Sequence, residues 1–131
     1  MSHRAPVAAV VAGIVLGLCL PAAAHHGAAG LFDVTRTVEV TGSVKRWSFV
    51  NPHPILVIEA AGDGGAATEW DIYFGPAGAT SLRNRGYAPD TFAVGDTLVV
   101  TGHPARADGA HAVDVFGREA GITRADGTSV P

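Results

Sequence analysis

The chain has 131 residues, 47 % of them hydrophobic and 16 % charged, with a single cysteine and a net charge of −3 before histidine is counted. That length suits one domain of ordinary size preceded by a short targeting segment, and leaves no room for a second domain. The only local basic groupings, Lys45-Arg46 and Arg83 to Arg85, do not form the continuous basic stripe that phosphate backbones require, which argues against a nucleic-acid partner.

Residues 1–24 have the three parts of a secretory signal: Arg4 as the basic start, an apolar stretch from Val7 to Leu20, and Ala22-x-Ala24 as the small-residue cleavage site. A cut after Ala24 satisfies both small positions, whereas a cut after Ala23 would put Pro21 at one of them. About 14 apolar residues are too few to span a bilayer, and no later segment comes close. The expected product is a soluble periplasmic protein without a membrane span, beginning at His25. Cys19 departs with the signal, and the bulky Leu18 before it argues against lipid attachment, so the domain is expected to fold without a disulfide. Eight of the nine basic residues and all twelve acidic ones follow residue 24, which leaves a net charge of −4.

Residues 25–36 read as an N-terminal arm, Gly/Ala-rich and then pinned by Leu31-Phe32. Strand pattern begins at residue 37, where Val38, Val40 and Val44 alternate with Thr37, Glu39, Thr41 and Ser43, and Gly42 marks a bulge or sharp bend. The run continues through Trp47 and Phe49 until Asn51-Pro52-His53-Pro54 interrupts it, because neither proline can donate to a ladder. Ile55 to Ala60 is predicted as a second strand, Gly62-Asp63-Gly64-Gly65 as a turn, and Thr68 to Phe74 as a third strand with Trp70, Ile72 and Phe74 on one face. A short helix over Ala77 to Arg85 follows, with Pro76 at its first position, Leu82 inward and Gly86 as its stop. Thr97 to Thr101 and Ala112 to Phe116 complete the strands, and 121–131 reads as a flexible C-terminal tail. Three strands, a helix and two strands is the order of the five-stranded OB-like barrel, so the predicted class is all-β with one short helix, the barrel covering 37–120. An open sandwich or meander under the helix is the rival architecture.

Five histidines remain after processing: His25, His26, His53, His103 and His111. A free amine on His25 beside its own imidazole forms a chelate, and a further imidazole would complete a set of nitrogens that suits Cu(II). The candidate metal ligands are therefore His25, His26 and His53, the last held on a backbone stiffened by Pro52 and Pro54. His103 and His111 flank one loop and are weaker candidates. Glu69 and Asp71, two apart on a strand, share a face that reads as solvent, and Trp47 and Trp70 read as core before they read as stacking platforms. There is no cysteine nucleophile, Gly-x-Ser-x-Gly elbow, phosphate loop or His-Glu-x-x-His helix after residue 24.

The signal ending in Ala-His-His, Phe32-Asp33, the Val-x-x-Trp-x-x-x-Asn-Pro-His run from Val44 to His53, Leu82-x-x-x-Gly-Tyr, and the Val94 to Pro104 run with its Gly95-Asp96 together resemble a family of small exported bacterial proteins catalogued as a domain of unknown function. The likeness spans nearly the whole processed chain. Tyr87 stands where tryptophan is common, and Ser48-Phe49-Val50 is a local departure; neither touches the candidate ligands. The resemblance implies export and a compact β fold, and carries no established activity. The functional expectation is a periplasmic barrel that binds copper through its processed amino terminus and His53, its partner a metal ion or small ligand, with a binding role favoured over an enzymatic one. The alternatives are a metal-free ligand- or protein-binding module and a copper redox enzyme of the histidine-brace type.

Overall fold

The computed structural model describes residues 28–131, so the signal segment, His25 and His26 lie outside the described residues. Six strands carry the fold: β1 (Val38–Ser48), β2 (Ile55–Ala61), β3 (Ala67–Tyr73), β4 (Thr97–Pro104), β5 (Ala112–Asp114) and β6 (Gly121–Arg124). Short helices are α1 (Ala28–Leu31) and α2 (Ala79–Asn84). The ladder runs β1-β2-β3-β5-β4 and closes through a β1–β4 pairing, with β3 and β5 parallel and every other pair antiparallel. This is the five-stranded OB-like barrel, with β6 added along β4, and the open sandwich is ruled out by the closure.

Closure depends on β1, which pairs with β4 over Val38 to Ser43 and with β2 over Gly42 to Ser48. Gly42 and Ser43 are hydrogen-bonded territory on both sides, and the strand turns there from one neighbour to the other. A Cβ on Gly42 would sit 2.6 Å from the backbone oxygen of Glu59, so no larger residue fits this approach. The bulge itself lies later than expected, between Val44 and Arg46, where Val44 faces Ile58 and Arg46 faces Val57. One extra residue reverses the alternation: Val40 and Val44 point inward, Lys45 and Arg46 both point to solvent, and Trp47 then turns in.

Leu56, Ile58, Leu98, Val100 and Val113 fill the barrel and are fully buried. One end is closed by Leu82 of α2 and by a set of rings in which Trp47 meets Phe92 edge-on at 5.1 Å and Phe74 meets Tyr87 at 5.6 Å. The Trp47 indole N–H donates to the Ala88 carbonyl at 3.0 Å, which satisfies its one polar atom. Helix α2 starts later than predicted because Gly78, not the residue before Pro76, occupies the cap position. A Cβ on Gly78 would come within 2.9 Å of the Pro52 carbonyl oxygen and 3.1 Å of Asn51 Oδ1, so the Asn-Pro-His loop presses on the start of this helix. The Asn51–Pro52 bond is cis.

Residues 121–131 depart from the expected flexible tail. β6 pairs with Leu98 to Thr101, and the chain then turns back so that Val130 donates to Ile122 and is itself buried. Arg124 fastens this hairpin through Asp96 at 3.2 Å and the Thr91 carbonyl at 2.7 Å. β5 is shorter than predicted, ending at Asp114, and β4 runs three residues longer.

Replacing Gly42 by alanine is expected to lower stability by about 1–3 kcal/mol, since the Glu59 backbone must shift to admit the methyl group. Gly121→Ala, with open space at that position, should stay within roughly 0.5 kcal/mol. Urea unfolding of the two variants checks the contrast.

Candidate functional site

The bulge at Lys45 sets Arg46 on the outer face of the sheet, in the same cross-strand row as Val57 and Asp71. The neighbouring outward positions on β2 and β3 are Ile55 and Tyr73, both exposed. Arg46, Asp71, Ile55 and Tyr73, together with His53, Pro54 and Ile72, line a cleft of about 280 Å³ at the end of the sheet where the Asn-Pro-His loop enters β2. His53 is solvent-exposed. Among the described residues, the side chains of Arg46, His53 and Asp71 make no hydrogen bond or ion pair. The adjacent Lys45 and Glu59, by contrast, pair with each other at 3.1 Å.

The arm reaches this cleft from the opposite side. Phe32 is buried and its ring lies 5.3 Å from that of Tyr73, while the backbone around it forms a short ladder: Asp33 N–H donates to Pro104 and Arg106 N–H to Leu31. Leu31, the other predicted anchor, is 61 % exposed, so of the two it is Phe32 that supplies the apolar hold. Asp33 fixes the turn that follows by accepting from the Thr35 hydroxyl at 2.7 Å and the Thr35 amide at 3.1 Å, bonds that hold its carboxyl below the usual range.

The remaining histidines have structural partners. His103 Nδ1 lies 2.8 Å from the Arg36 carbonyl, which can only accept, so Nδ1 carries the proton. His111 packs edge-on against Trp70 at 5.0 Å, and Trp70 is half-buried at the rim of the barrel. Opposite His103 in the ladder stands Asp114, 3 % exposed and the one buried charged residue among those described. Its carboxylate accepts from Gly75 N–H at 2.8 Å. Burial pushes its pKa up, opposed by that bond, by the charge of His103 and by the Phe116 amide. Among the described residues, no group of three or more His, Cys, Asp or Glu side chains is placed to hold a metal ion. Nor is any helix among them long and apolar enough to cross a membrane.

The Gly95-Asp96 block has a scaffold role. Gly95 adopts φ +94°, its N–H and the Asp96 carbonyl bracket Val44, and the Asp96 carboxylate binds the Ala93 amide and Arg124. A second recess of about 240 Å³ beside it is lined by Asp96, Thr97, Arg124, Ala125 and Asp126, whose charges are engaged with Arg124 and Thr128.

A model for a family of unknown function, DUF6152, matches residues 12–114. The chain belongs to that family. The matched span takes in β1 to β5, the Asn-Pro-His loop and the whole cleft, and stops before β6. No curated protein and no solved structure matches the chain.

Of the expected ligands, the structure sets His53 on a cleft wall, whereas His25 and His26 precede the described residues. Arg46, Asp71 and Tyr73 join His53 there. Tyr73 was findable from its outward place between inward Ile72 and Phe74. Arg46 was not, because simple alternation from Val44 would turn it inward.

Asp114→Asn isolates the buried acid while keeping an oxygen for Gly75. An acid whose folded pKa is raised penalises the fold as pH climbs from its ordinary 3.8 through the folded value, and contributes nothing below that range. The stability of the variant relative to the parent should therefore improve with rising pH across this window and then level off, as read from urea midpoints.

Proposed function

We propose that the exported chain, cut between Ala24 and His25, is a periplasmic metal-handling protein that binds Cu(II) through the His25 amine and imidazole together with His53, with His26 adjacent. The observation that carries this reading is the Phe32–Tyr73 contact, which fastens the arm beside the wall that Tyr73 shares with His53, exposed and without a side-chain partner among the described residues. His25 lies three Cα steps before Ala28, a reach of about 10 Å when extended. An amine and two imidazoles suit a metal at the top of the divalent affinity order and its tetragonal geometry. With an ordinary value near 8 for an α-amine, freeing the His25 amino nitrogen at neutral pH costs on the order of 1 kcal/mol, small beside metal binding.

Intact mass of protein recovered after export should give a chain starting at His25. Calorimetric titration with Cu(II) is then expected to show roughly tenfold or greater weakening in His25→Ala and in His53→Ala, and no change in His103→Ala, whose ring is occupied by Arg36. Unchanged affinity in the first two variants, or a residue left ahead of His25, would sink the reading.

A further inference from the structure

The outer cleft holds two opposite charges that no other side chain among the described residues neutralises. Arg46 on β1 and Asp71 on β3 flank Val57 in a single row, and Val57, although it faces outward, is only 2 % exposed. With strands about 4.8 Å apart, the two Cα atoms stand roughly 10 Å from each other, one on either side of Val57. Both side chains line the same recess of about 280 Å³, which Ile55 and Tyr73 extend as an apolar wall. Neither charge has a partner among the described residues, although one row away Lys45 and Glu59 form an ion pair on the same face.

We propose that this recess binds a small zwitterion, a free amino acid with an apolar or aromatic side chain. A ligand carrying one charge would neutralise Arg46 or Asp71 and lay its apolar body over the other, which would lose water without gaining a partner. A neutral sugar would answer neither charge. A molecule bearing both signs on one carbon offers its carboxylate to the forked guanidinium of Arg46 and its ammonium to Asp71, and its side chain packs on Tyr73 and Ile55. The recess is slightly smaller than the pockets that hold drug-sized ligands, which fits one amino acid better than a peptide, whose terminal charges lie further apart. Binding of this kind requires no metal, and so goes beyond the copper reading although His53 borders both.

The test is an amide NMR titration of the purified protein in EDTA, with L-phenylalanine as probe and N-acetyl-L-phenylalanine, L-phenylalaninamide and glucose as comparisons. L-phenylalanine should give saturable shifts centred on residues 46, 55, 57, 71 and 73, and each blocked analogue should bind about tenfold more weakly or worse. Arg46→Gln should abolish the preference over the amide, and Asp71→Asn the preference over the N-acetyl compound; both are exposed positions, and the spectra report whether the variants fold. The proposal is overturned if the analogues bind as well as the parent, if glucose binds in its place, if the shifts map elsewhere, or if none saturates. Because copper is absent, failure here leaves the copper titrations standing, and failure of those leaves this result untouched.

Discussion

The barrel depends on β1 using both of its edges. A strand that pairs with β2 over one half and β4 over the other must turn between them, and the turn falls where Gly42 lets the Glu59 backbone come closer than any Cβ would allow. A side chain at position 42 would push β2 away from β1 at the turn on which closure depends, and a sheet that did not close would keep two open edges that invite pairing with other chains. The bulge at Lys45 completes the device a few residues later. It brings Trp47 under the barrel end, where Phe92 and the Ala88 carbonyl receive it, and sends Arg46 out to the opposite face.

Site and scaffold therefore have a common origin. The irregularity that lets the sheet curl also puts a guanidinium level with Val57 and Asp71 on the outside. The Asn-Pro-His loop, pressed against the glycine that caps α2, presents His53 at the end of the same face. The fully buried aliphatic residues lie inside, each contributing about 1.5–3 kcal/mol by leaving water, so the outer face is free to carry side chains that do not contribute to stability. Arg46, His53 and Asp71, unpaired among the described residues, are of that kind. Asp96 and Arg124 show the opposite use of charge, joined to each other and to turn amides and carbonyls that fix the β6 hairpin.

Much of the architecture was legible in the residues. The valines of β1, the aromatic alternation of β3 and the glycine-rich turn between β2 and β3 announce their elements, and the order of strands around one helix specifies the barrel. Three features were hidden, each for a physical reason. Alternation assigns faces only until a bulge shifts the count, so Arg46 reads inward although it faces solvent, while Trp47, read as core, does pack there. Helix α2 begins at a glycine selected by contact with a distant loop, which no local cap signal records. The final strand has only Ile122 and Val130 as inward apolar residues, separated by a turn, and its support comes from Arg124 reaching Asp96 across 28 positions of sequence. Of the site, His53 was legible from its prolines, whereas the companions it meets across three strands are a product of register.

Tyr73 belongs to two structures at once: one side of its ring meets Phe32, and the residue also forms a wall of the cleft. A molecule that leans on that ring and an arm that rests on it share one rotamer, so whatever free energy either invests in holding the tyrosine still is available to the other. Linkage makes such an exchange reciprocal. Any molecule bound in the outer recess would therefore be linked to the seat of the amino-terminal arm through this one side chain.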